Sequence, residues 1–376
     1  MLRVFVTGDN HIGLKYKSHE KSDVLAASRL TAFESMVDAA NDEACSLFVI
    51  TGDLFENTYD ISKKEITALL EMLSGFKGTV AILPGNHDYY DDDVKVWRYF
   101  KDAVSEFDNI MLLSEYRPYA LTIDDKEVVL YPALCRSLHS APGENNLGWI
   151  KDENITPGAA CRIGIAHGAV EGETIDREGV YFLMNRSELE SVPVDVWLIG
   201  HTHVPFPSDL SEKFKACDKI LNPGTHVQTD VACGSEGVCF IVEIDNDKTI
   251  RAKKFVSGNL RFFRKEIDVS AETMKETLKR ELSAFPDNSV VEIKISGSVT
   301  PEEYEDRDDT VNDLLSRFIE ASYDDSSLSR IISKELIDSE FAQTSFSAGF
   351  LTALLSDPKE AQLAYELLDS LKKEGK

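Results

Sequence analysis

The segment TVAILPGNHDYY, residues 79–90, joins a short apolar run to a turn that carries three chemically active side chains. The run TVAIL (79–83) has the length and composition of a buried strand, and it ends at a Pro-Gly turn. Asn86, His87 and Asp88 follow that turn directly. An amide, an imidazole and a carboxylate in three consecutive residues indicate chemistry rather than folding, provided that similar clusters follow other strands of the chain.

The predicted elements around this segment alternate between strands and helices. LRVFVT (2–7) and LFVIT (47–51) are further apolar strands, and the spacing of apolar residues predicts helices over 24–40 and 61–74. A β-α-β-α-β order predicts a largely parallel sheet with right-handed crossovers. Later strands are expected at EVVLYPAL (127–134), CRIGIAH (161–167) and DVWLIGH (195–201), followed by an antiparallel pair, GVCFIVEI (237–244) and IRAKKFV (250–256).

The pattern changes near residue 265. SAETMKETLKRELSAF (270–285) predicts a helix, SVVEIKISG (289–297) a strand and PEEYEDRDD (301–309) an acidic turn, and helices are expected to dominate from Thr310 onward. We therefore predict a main α/β domain at 1–263, a small α/β domain at 264–330 and a helical tail at 331–376.

Composition excludes several classes of protein. No run of 18 apolar residues is present, and the start, MLRVFVTGDNH, lacks the apolar region of a signal peptide. The six cysteines are scattered without a CxxC pair, so we expect reduced thiols and a cytoplasmic protein with no membrane association. The net charge of −26 argues against a generic nucleic-acid coat protein. It does not exclude a nuclease, because bound divalent cations invert the local field.

One segment runs against the acidic composition. RAKKFVSGNLRFFRK (251–265) contains six basic residues and no acidic residue. The pattern is equally compatible with a surface that contacts phosphate groups and with a solvated strand edge.

Polar residues of the kinds that bind metals follow five of the predicted strands. The segments are GDNH (8–11), GDLFE (52–56), GNHD (85–88), AHG (166–168) and GHTH (200–203). In an open parallel sheet, ligands gather beyond the carboxyl ends of the strands, so these segments are expected to converge. The glycine in most of these clusters lets the backbone turn sharply and approach closely.

The donors in these segments suit two divalent cations. The candidate ligands are Asp9, His11, Asp53, Asn86, His167, His201 and His203. Mixed nitrogen and oxygen donors favour Mn, with Fe, Zn or Mg as the other candidates, and a carboxylate such as Asp53 can bridge two metals about 3.5–4 Å apart. A lone histidine after a strand is more often a turn residue, and GDLFE alone could cap a helix. Five segments that use five of the eight histidines favour the metal site.

The order D-x-H, GD, GNHD, H, GHxH resembles the calcineurin-like metallophosphoesterases over roughly residues 1–260. That resemblance implies a four-layer αββα sandwich with a small capping domain. Within the superfamily the chain is most similar to the SbcD-type DNA repair nucleases. The features that carry this narrower likeness are HGAVEG (167–172), NPGTHVQTD (222–230), the small appended domain and the helical tail.

The resemblance also implies a role for each site residue. One metal would be held by Asp9, His11, Asp53 and His203, and the other by Asp53, Asn86, His167 and His201. His87 would be the catalytic histidine, which stabilises the developing charge or protonates the leaving oxygen, and Asp88 would orient it and fix its tautomer.

Glu56 departs from the family pattern, which has His or Asp at that position. Its carboxylate either reaches a water at the metals or caps the turn. We favour the cap.

The implied activity is metal-dependent hydrolysis of DNA, as a 3′–5′ exonuclease and single-strand endonuclease in DNA repair. The implied partners are DNA, an SMC-like (SbcC-type) ATPase and a second copy of the chain, which would dimerise through helices of residues 61–110. The alternatives are a phosphodiesterase for small molecules or cyclic nucleotides and a DNA-end-binding scaffold. The complete ligand set argues against a scaffold, and the region after residue 266 exceeds what a minimal phosphatase needs.

Residues outside the ligand set carry weaker expectations. His139 is expected in a loop, and His19 either lies in an exposed loop or contacts a phosphate. His226 either packs in a turn or contacts the ligands or the substrate. In the tail, Leu363, Leu367 and Leu371 form a stripe at four-residue spacing. This stripe either packs on the small domain or lies on the coiled coil of the ATPase.

Overall fold

In the computed structural model the chain divides into two units, Met1–Arg261 and Phe262–Lys376. Runs of Val, Ile, Leu and Phe form the central strands of the first unit. The structure describes residues 1–173, 176 and 178–374. The strands of the first unit are β1 (Leu2–Thr7), β2 (Leu47–Ile50), β3 (Thr79–Ile82), β4 (Ile110–Leu112), β5 (Tyr119–Ile123), β6 (Lys126–Ala133), β7 (Cys161–His167), β8 (Val196–Gly200), β9 (Lys215–Ala216), β10 (Ile220–Leu221), β11 (Val238–Ile244) and β12 (Ile250–Val256). Its α-helices are α1 (Ser22–Asp42), α2 (Lys63–Ser74), α3 (Lys95–Val104) and α4 (Arg186–Ser191).

The first sheet has the strand order β4-β3-β2-β1-β11-β12-β9. Its strands β1 to β4 are parallel, as the alternation of strands and helices predicts, and β11 and β12 form the predicted antiparallel pair. The second sheet has the order β10-β8-β7-β6-β5, in which only β5 is antiparallel to its neighbour.

Side-chain alternation in the second sheet places it between two apolar layers. Leu130, Ile163 and Leu198 belong to the large core that also contains the strands of the first sheet and the apolar faces of α1, α2 and α3. Tyr131 and Trp197 point into a second core, which includes Leu189 of the short helix α4. Because adjacent strand residues face opposite sides of a sheet, the two sheets form the inner layers of a sandwich. The predicted αββα architecture is therefore confirmed, with a thin outer layer on the side of α4.

The second unit contains a small sheet of order β13-β14-β15 and the remaining helices. Its elements are β13 (Arg261–Ser270), α5 (Met274–Leu282), β14 (Ser289–Val299), α6 (Pro301–Glu305), α7 (Arg307–Leu315), β15 (Glu320–Arg330), α8 (Lys334–Glu340), α9 (Phe346–Leu354) and α10 (Pro358–Glu374). The apolar core of the sheet is formed by residues such as Ile267, Leu278, Ile293, Leu315 and Leu328.

One local prediction in this unit is wrong. The expected acidic turn at 301–309 is helical, because Thr300 and Glu303 form a capping box and Pro301 occupies the first turn of α6. Helices dominate the described residues after Thr310, as predicted, and one strand, β15, lies among them. Its polar sequence does not alternate with apolar residues, and its pairing with β14 defines it as a strand.

The tail packs around a cluster of its own. The buried members of this cluster are Ile337, Ala348, Leu351, Ala364 and Tyr365. Leu363, Leu367 and Leu371 are 60%, 58% and 63% exposed, which disfavours the alternative that the stripe packs on the small domain. The predicted boundary at residue 330 stays a prediction, and Gly375 and Lys376 of the predicted tail lie outside the described residues.

None of the helices in the described part of the chain has the length and apolar composition needed to span a bilayer.

Candidate metal centre

All seven candidate ligands lie at or just beyond the carboxyl ends of strands. Asp9 and His11 follow β1, Asp53 follows β2 and Asn86 follows β3, all in the first sheet. The other three come from the second sheet: His167 ends β7, and His201 and His203 follow β8. The site is therefore assembled from both inner layers of the sandwich.

Six of the seven candidate ligands form two neighbouring groups, and a third group joins two of them, His11 and Asp53, to His87. Donor atoms of Asp9, His11 and His203 lie within 4.8 Å of one another, and so do those of Asp53, His167 and His201. In the first group, Nε2 of His11 is 3.0 Å from Nε2 of His203. These groups correspond to the two metal sites that the resemblance implies.

Asn86 and Asp53 connect the members of these groups. Oδ1 of Asn86 lies 2.9 Å from Nε2 of His167 and 3.1 Å from Nδ1 of His201. Oδ2 of Asp53 lies 3.2 Å from Nε2 of His167 in the second group and 3.8 Å from Nε2 of His11 in the first. One carboxylate oxygen thus faces both groups, as a bridging ligand requires.

Four candidate ligands have a backbone conformation that is uncommon for residues with a side chain. The φ angles are 49° for Asp9, 46° for His11, 51° for Asp53 and 115° for His201. Such conformations cost about 1–3 kcal/mol each and persist where the surrounding contacts enforce them. Here the loops brace each other, since the backbone N–H of His11 donates to the carbonyl of Asp53 at 2.9 Å.

Glycine permits the close approach of these loops. A Cβ atom on Gly52 would lie 2.2 Å from Nδ1 of His167, and one on Gly85 would lie 2.2 Å from Oδ1 of Asp53. Gly52 also has a φ of 107°, in the left-handed region. Any larger residue at either position would displace a candidate ligand.

Two histidine ligands are oriented by hydrogen bonds at their far nitrogens. Nδ1 of His11 lies 2.9 Å from Oε2 of Glu56, and Nδ1 of His167 lies 3.0 Å from the carbonyl oxygen of Thr51. If Nδ1 carries the proton in each ring, Nε2 is left free to bind a metal. The expectation that Glu56 caps a turn is wrong, because its carboxylate contacts a ligand instead.

His87 and Asp88 lie in the site with different partners from those predicted. Nδ1 of His87 is 3.1 Å from the carbonyl oxygen of Glu56. The carboxylate of Asp88 accepts hydrogen bonds from the backbone N–H groups of Gly85, at 2.6 Å, and Phe55, at 3.1 Å. The prediction that Asp88 orients His87 is therefore wrong. The tight turn directs the Asp88 carboxylate onto two buried N–H groups that would otherwise lack an acceptor.

A family model described as calcineurin-like phosphoesterase matches residues 2–205. The chain belongs to this family. It is accordingly a metal-dependent hydrolase of phosphate esters, and the matched region contains all seven candidate ligands.

The chain is similar to two solved structures that each cover about two thirds of its length. The protein TT1561 of Thermus thermophilus is 11% identical, with a TM-score of 0.41 over 67% of this chain and 97% of that chain. A dimetal phosphatase from Danio rerio is also 11% identical, with a TM-score of 0.37 over 68% of this chain and 98% of that chain.

Burial and the pairing of Asp53 with His167 shift the pKa values of residues in this phosphoesterase site. Burial opposes protonation of His167, but the carboxylate of Asp53 outweighs it and raises the pKa of His167 to about 9. Burial likewise opposes ionisation of Asp53, yet the nearby His167 holds the pKa of that carboxyl below its usual range. Burial raises the pKa of Asp9 to about 7. Burial thus favours the neutral form of Asp9, while Asp53 and His167 stabilise each other's charged forms.

Two other histidines are held in the form that binds metals. Burial lowers the pKa of His201 to about 4 and that of His203 to about 3. Both rings are therefore neutral near pH 7, with a lone pair available for coordination.

The remaining histidines lie outside the two ligand groups. His226 is fully buried, and its Nε2 lies 2.8 Å from the carbonyl oxygen of Arg29, so it supports helix α1. The His139 ring lies 5.2 Å from that of Tyr181, which in turn lies 5.2 Å from the ring of His201. Tyr181 belongs to no sequence motif, and only the fold brings it to the site.

Every basic residue of the segment 251–265 has an acidic partner. The ion pairs join Arg251 to Glu243 and Asp245, Lys253 to Glu43, Lys254 and Arg261 to Glu236, Arg264 to Glu292, and Lys265 to Glu281, at 2.6–3.3 Å. The local positive charge is thus compensated within the chain. These contacts favour the interpretation of the segment as a solvated strand edge.

Proposed function

We propose that the chain is a two-metal phosphodiesterase that cleaves DNA in repair, together with an SMC-like ATPase. One observation carries the two-metal assignment: Oδ2 of Asp53 lies between His167 of one ligand group and His11 of the other. A shared carboxylate holds two cations close enough to act on one phosphate group.

The residues present fit a pair of divalent cations. Asp9, His11, Asp53 and His203 would hold one ion, and Asp53, Asn86, His167 and His201 the other. The set combines carboxylate, amide and imidazole donors, which favours Mn, with Fe, Zn or Mg as the other candidates. When bound, such a pair polarises the phosphate and activates water as the nucleophile.

His87 supplies the proton chemistry in this proposal. The carbonyl oxygen of Glu56 fixes Nδ1 of the ring, so Nε2 remains for the substrate. The backbone N–H of His87 donates to Oδ1 of Asp53 at 2.9 Å, which ties the position of the ring to the shared ligand. The ring stabilises the charge that develops on the phosphate or donates a proton to the leaving 3′ oxygen, a contribution of about 10²–10⁴-fold. Asp88 maintains the turn on which Asn86 and His87 lie.

Support for DNA as the substrate comes from the second unit. Residues 262–376 add a three-stranded sheet and a helical tail that hydrolysis of a small molecule does not require. The exposed stripe of Leu363, Leu367 and Leu371 suits the helix-in-groove mode of partner binding, and we propose the coiled coil of the ATPase as that partner. The ATPase would also provide positive surface for DNA, which an acidic chain with a net charge of −26 lacks overall.

A second candidate function is hydrolysis of small or cyclic phosphodiesters. The compensated charges of segment 251–265 favour it, because the chain's most basic segment has no unpaired cation for a phosphate backbone. A small substrate would need only the two metals and His87.

Substrate panels in the presence of Mn distinguish these functions. Initial rates are measured on linear duplex, single-stranded and plasmid DNA, and on cyclic nucleotides and small phosphodiesters. Asp53→Asn protein serves as the control for contaminating nucleases. The proposal predicts that DNA is cleaved with a much higher kcat/KM than the small esters. The reverse order would support the second candidate, and no cleavage of any substrate by metal-loaded protein would contradict both.

A further inference from the structure

Helix α1 buries an arginine on its apolar face, beside the first ligand group. Arg29 is spaced four residues from both Leu25 and Phe33, and all three side chains are fully buried. The periodicity of the helix would place an apolar residue at this position. Burial of a guanidinium is costly unless its N–H groups are satisfied, so its contacts define what it does.

Five oxygen atoms surround the guanidinium, one for each of its N–H groups. Nε donates to the carbonyl of Asn10 at 2.8 Å, Nη1 to the carbonyl of Val227 at 3.0 Å and to Oη of Tyr16 at 3.5 Å, and Nη2 to the carbonyl of Asp9 and Oγ1 of Thr225, both at 3.1 Å. All five acceptors are neutral. The arginine therefore serves backbone and hydroxyl groups rather than a carboxylate.

Two of these acceptors belong to the loop that bears the first ligand group. The carbonyl oxygens of Asp9 and Asn10 are held by the guanidinium, while the side chains of Asp9 and His11 reach the ligand group. Asp9 and His11 both have left-handed backbone conformations, which need such external support. Thr225 strengthens the arrangement, because its hydroxyl lies 2.9 Å from the same carbonyl of Asp9.

We propose that Arg29 is a positioning residue for the first metal, acting through the loop that carries Asp9 and His11. The inference rests on the two-metal site proposed above. Lysine cannot replace it, because its ammonium has three donors and no planar fork. The contacts that hold Asn86, His167 and His201 do not involve the guanidinium, so the second group should depend on it much less.

The test compares Mn binding by wild-type protein, Arg29→Lys and Arg29→Met, using isothermal titration and metal analysis after dialysis. We expect two equivalents in the wild type, and in both variants one equivalent retained and the other weakened at least about tenfold. Met36→Ala is the matched control, because Met36 is fully buried on the same helix and lies outside the ligand loop. This control should melt at a lower temperature and still bind two equivalents.

Ligand variants identify which ion is lost. Combined with His203→Ala, which disables the first group, Arg29→Met should cause little further loss of Mn. Combined with His201→Ala, which disables the second group, it should remove most of the remaining Mn, a non-additive pattern. Wild-type affinity at both sites in Arg29→Met, or equal weakening of both sites, would overturn the inference.

Two further results distinguish a failure of this inference from misfolding of the variants and from a failure of the proposed two-metal site. If neither Arg29 variant folds, Thr225→Val tests the same loop, and unchanged Mn binding in that variant would overturn the inference. If the wild type itself binds fewer than two Mn ions, the proposed two-metal site fails, whatever the Arg29 variants show.

Discussion

The metal centre and the helical tail are the two regions of the molecule whose residues suggest function, and they are built in opposite ways. Asp9, Asp53 and His167 are at most 2% exposed, and each contacts residues from other loops. Leu363 and Leu371 are at least 60% exposed. The side chains of the centre contact one another within the chain, whereas the tail presents an exposed apolar stripe.

Because the centre is buried and the tail stripe is exposed, mutations in the two regions should have different effects. Changes at the centre should alter metal binding and catalysis, because its residues position one another. Changes on the tail stripe should leave both intact and affect only association with a partner.

The largest effect is expected from Asp53→Asn. The variant replaces the carboxylate that faces both ligand groups, so binding should weaken at both sites and hydrolysis should fall to background. Metal analysis should find clearly less than two equivalents of Mn. Asp60→Asn, at an exposed site paired with Lys15, is the control and should retain both ions. Two tightly bound ions in Asp53→Asn would exclude Asp53 as the bridge.

His87→Ala should reduce kcat by about 10²–10⁴-fold while both metals remain bound. The reason is that His87 acts on the substrate in the proposed function. The structure makes this a demanding test, since a ring nitrogen of His87 also lies within 4.8 Å of donor atoms of His11 and Asp53. Loss of a metal together with activity would show that His87 is a ligand.

A smaller effect is expected at Glu56, which orients His11. Glu56→Ala should weaken Mn binding about 10–100-fold, the usual cost of losing the partner of a histidine ligand. Glu56→Gln retains an acceptor oxygen and should be affected less. Isothermal titration measures both, and unchanged Mn affinity in Glu56→Ala would show that His11 needs no orienting carboxylate.

The smallest effect on the chain itself is expected from replacing Leu363, Leu367 and Leu371 together by Gln. Each exposed change should alter the free energy of unfolding by no more than about 0.5 kcal/mol, and cleavage of short DNA should be unchanged. Co-purification with the ATPase should be lost. Truncation after Ser333, before α8, should give the same result.

A fall of many degrees in the melting temperature of either tail variant would assign the stripe to the chain's own core. Retention of the ATPase by the Gln variant would instead place the partner elsewhere.

The sequence predicted well which candidate ligands converge, because each lies in a short motif next to a strand. Asp9, Asn86 and His201 each directly follow a glycine, and the topology of the sheets brings such strand ends together. Spacing along the chain was therefore enough to predict which residues converge, although the contribution of two separate sheets was not evident.

The sequence could not predict contacts that depend on side-chain direction. Asp88 follows His87 directly, yet its carboxylate turns back onto the N–H groups of Gly85 and Phe55. Arg29 interrupts the apolar face of its helix, which makes its position unusual in the sequence. That pattern does not indicate which groups its guanidinium donates to. The basic residues of segment 251–265 are paired with acids distant in sequence, such as Glu43, and that pairing is set by tertiary structure alone.

The most direct test of the central claim is an anomalous-difference map from crystals grown with Mn. We predict two peaks about 3.5–4 Å apart, with the carboxylate of Asp53 between them. One peak should contact Asp9, His11 and His203, and the other should contact Asn86, His167 and His201. A single peak at full Mn saturation, or two peaks of which only one contacts Asp53, would contradict the shared-carboxylate site.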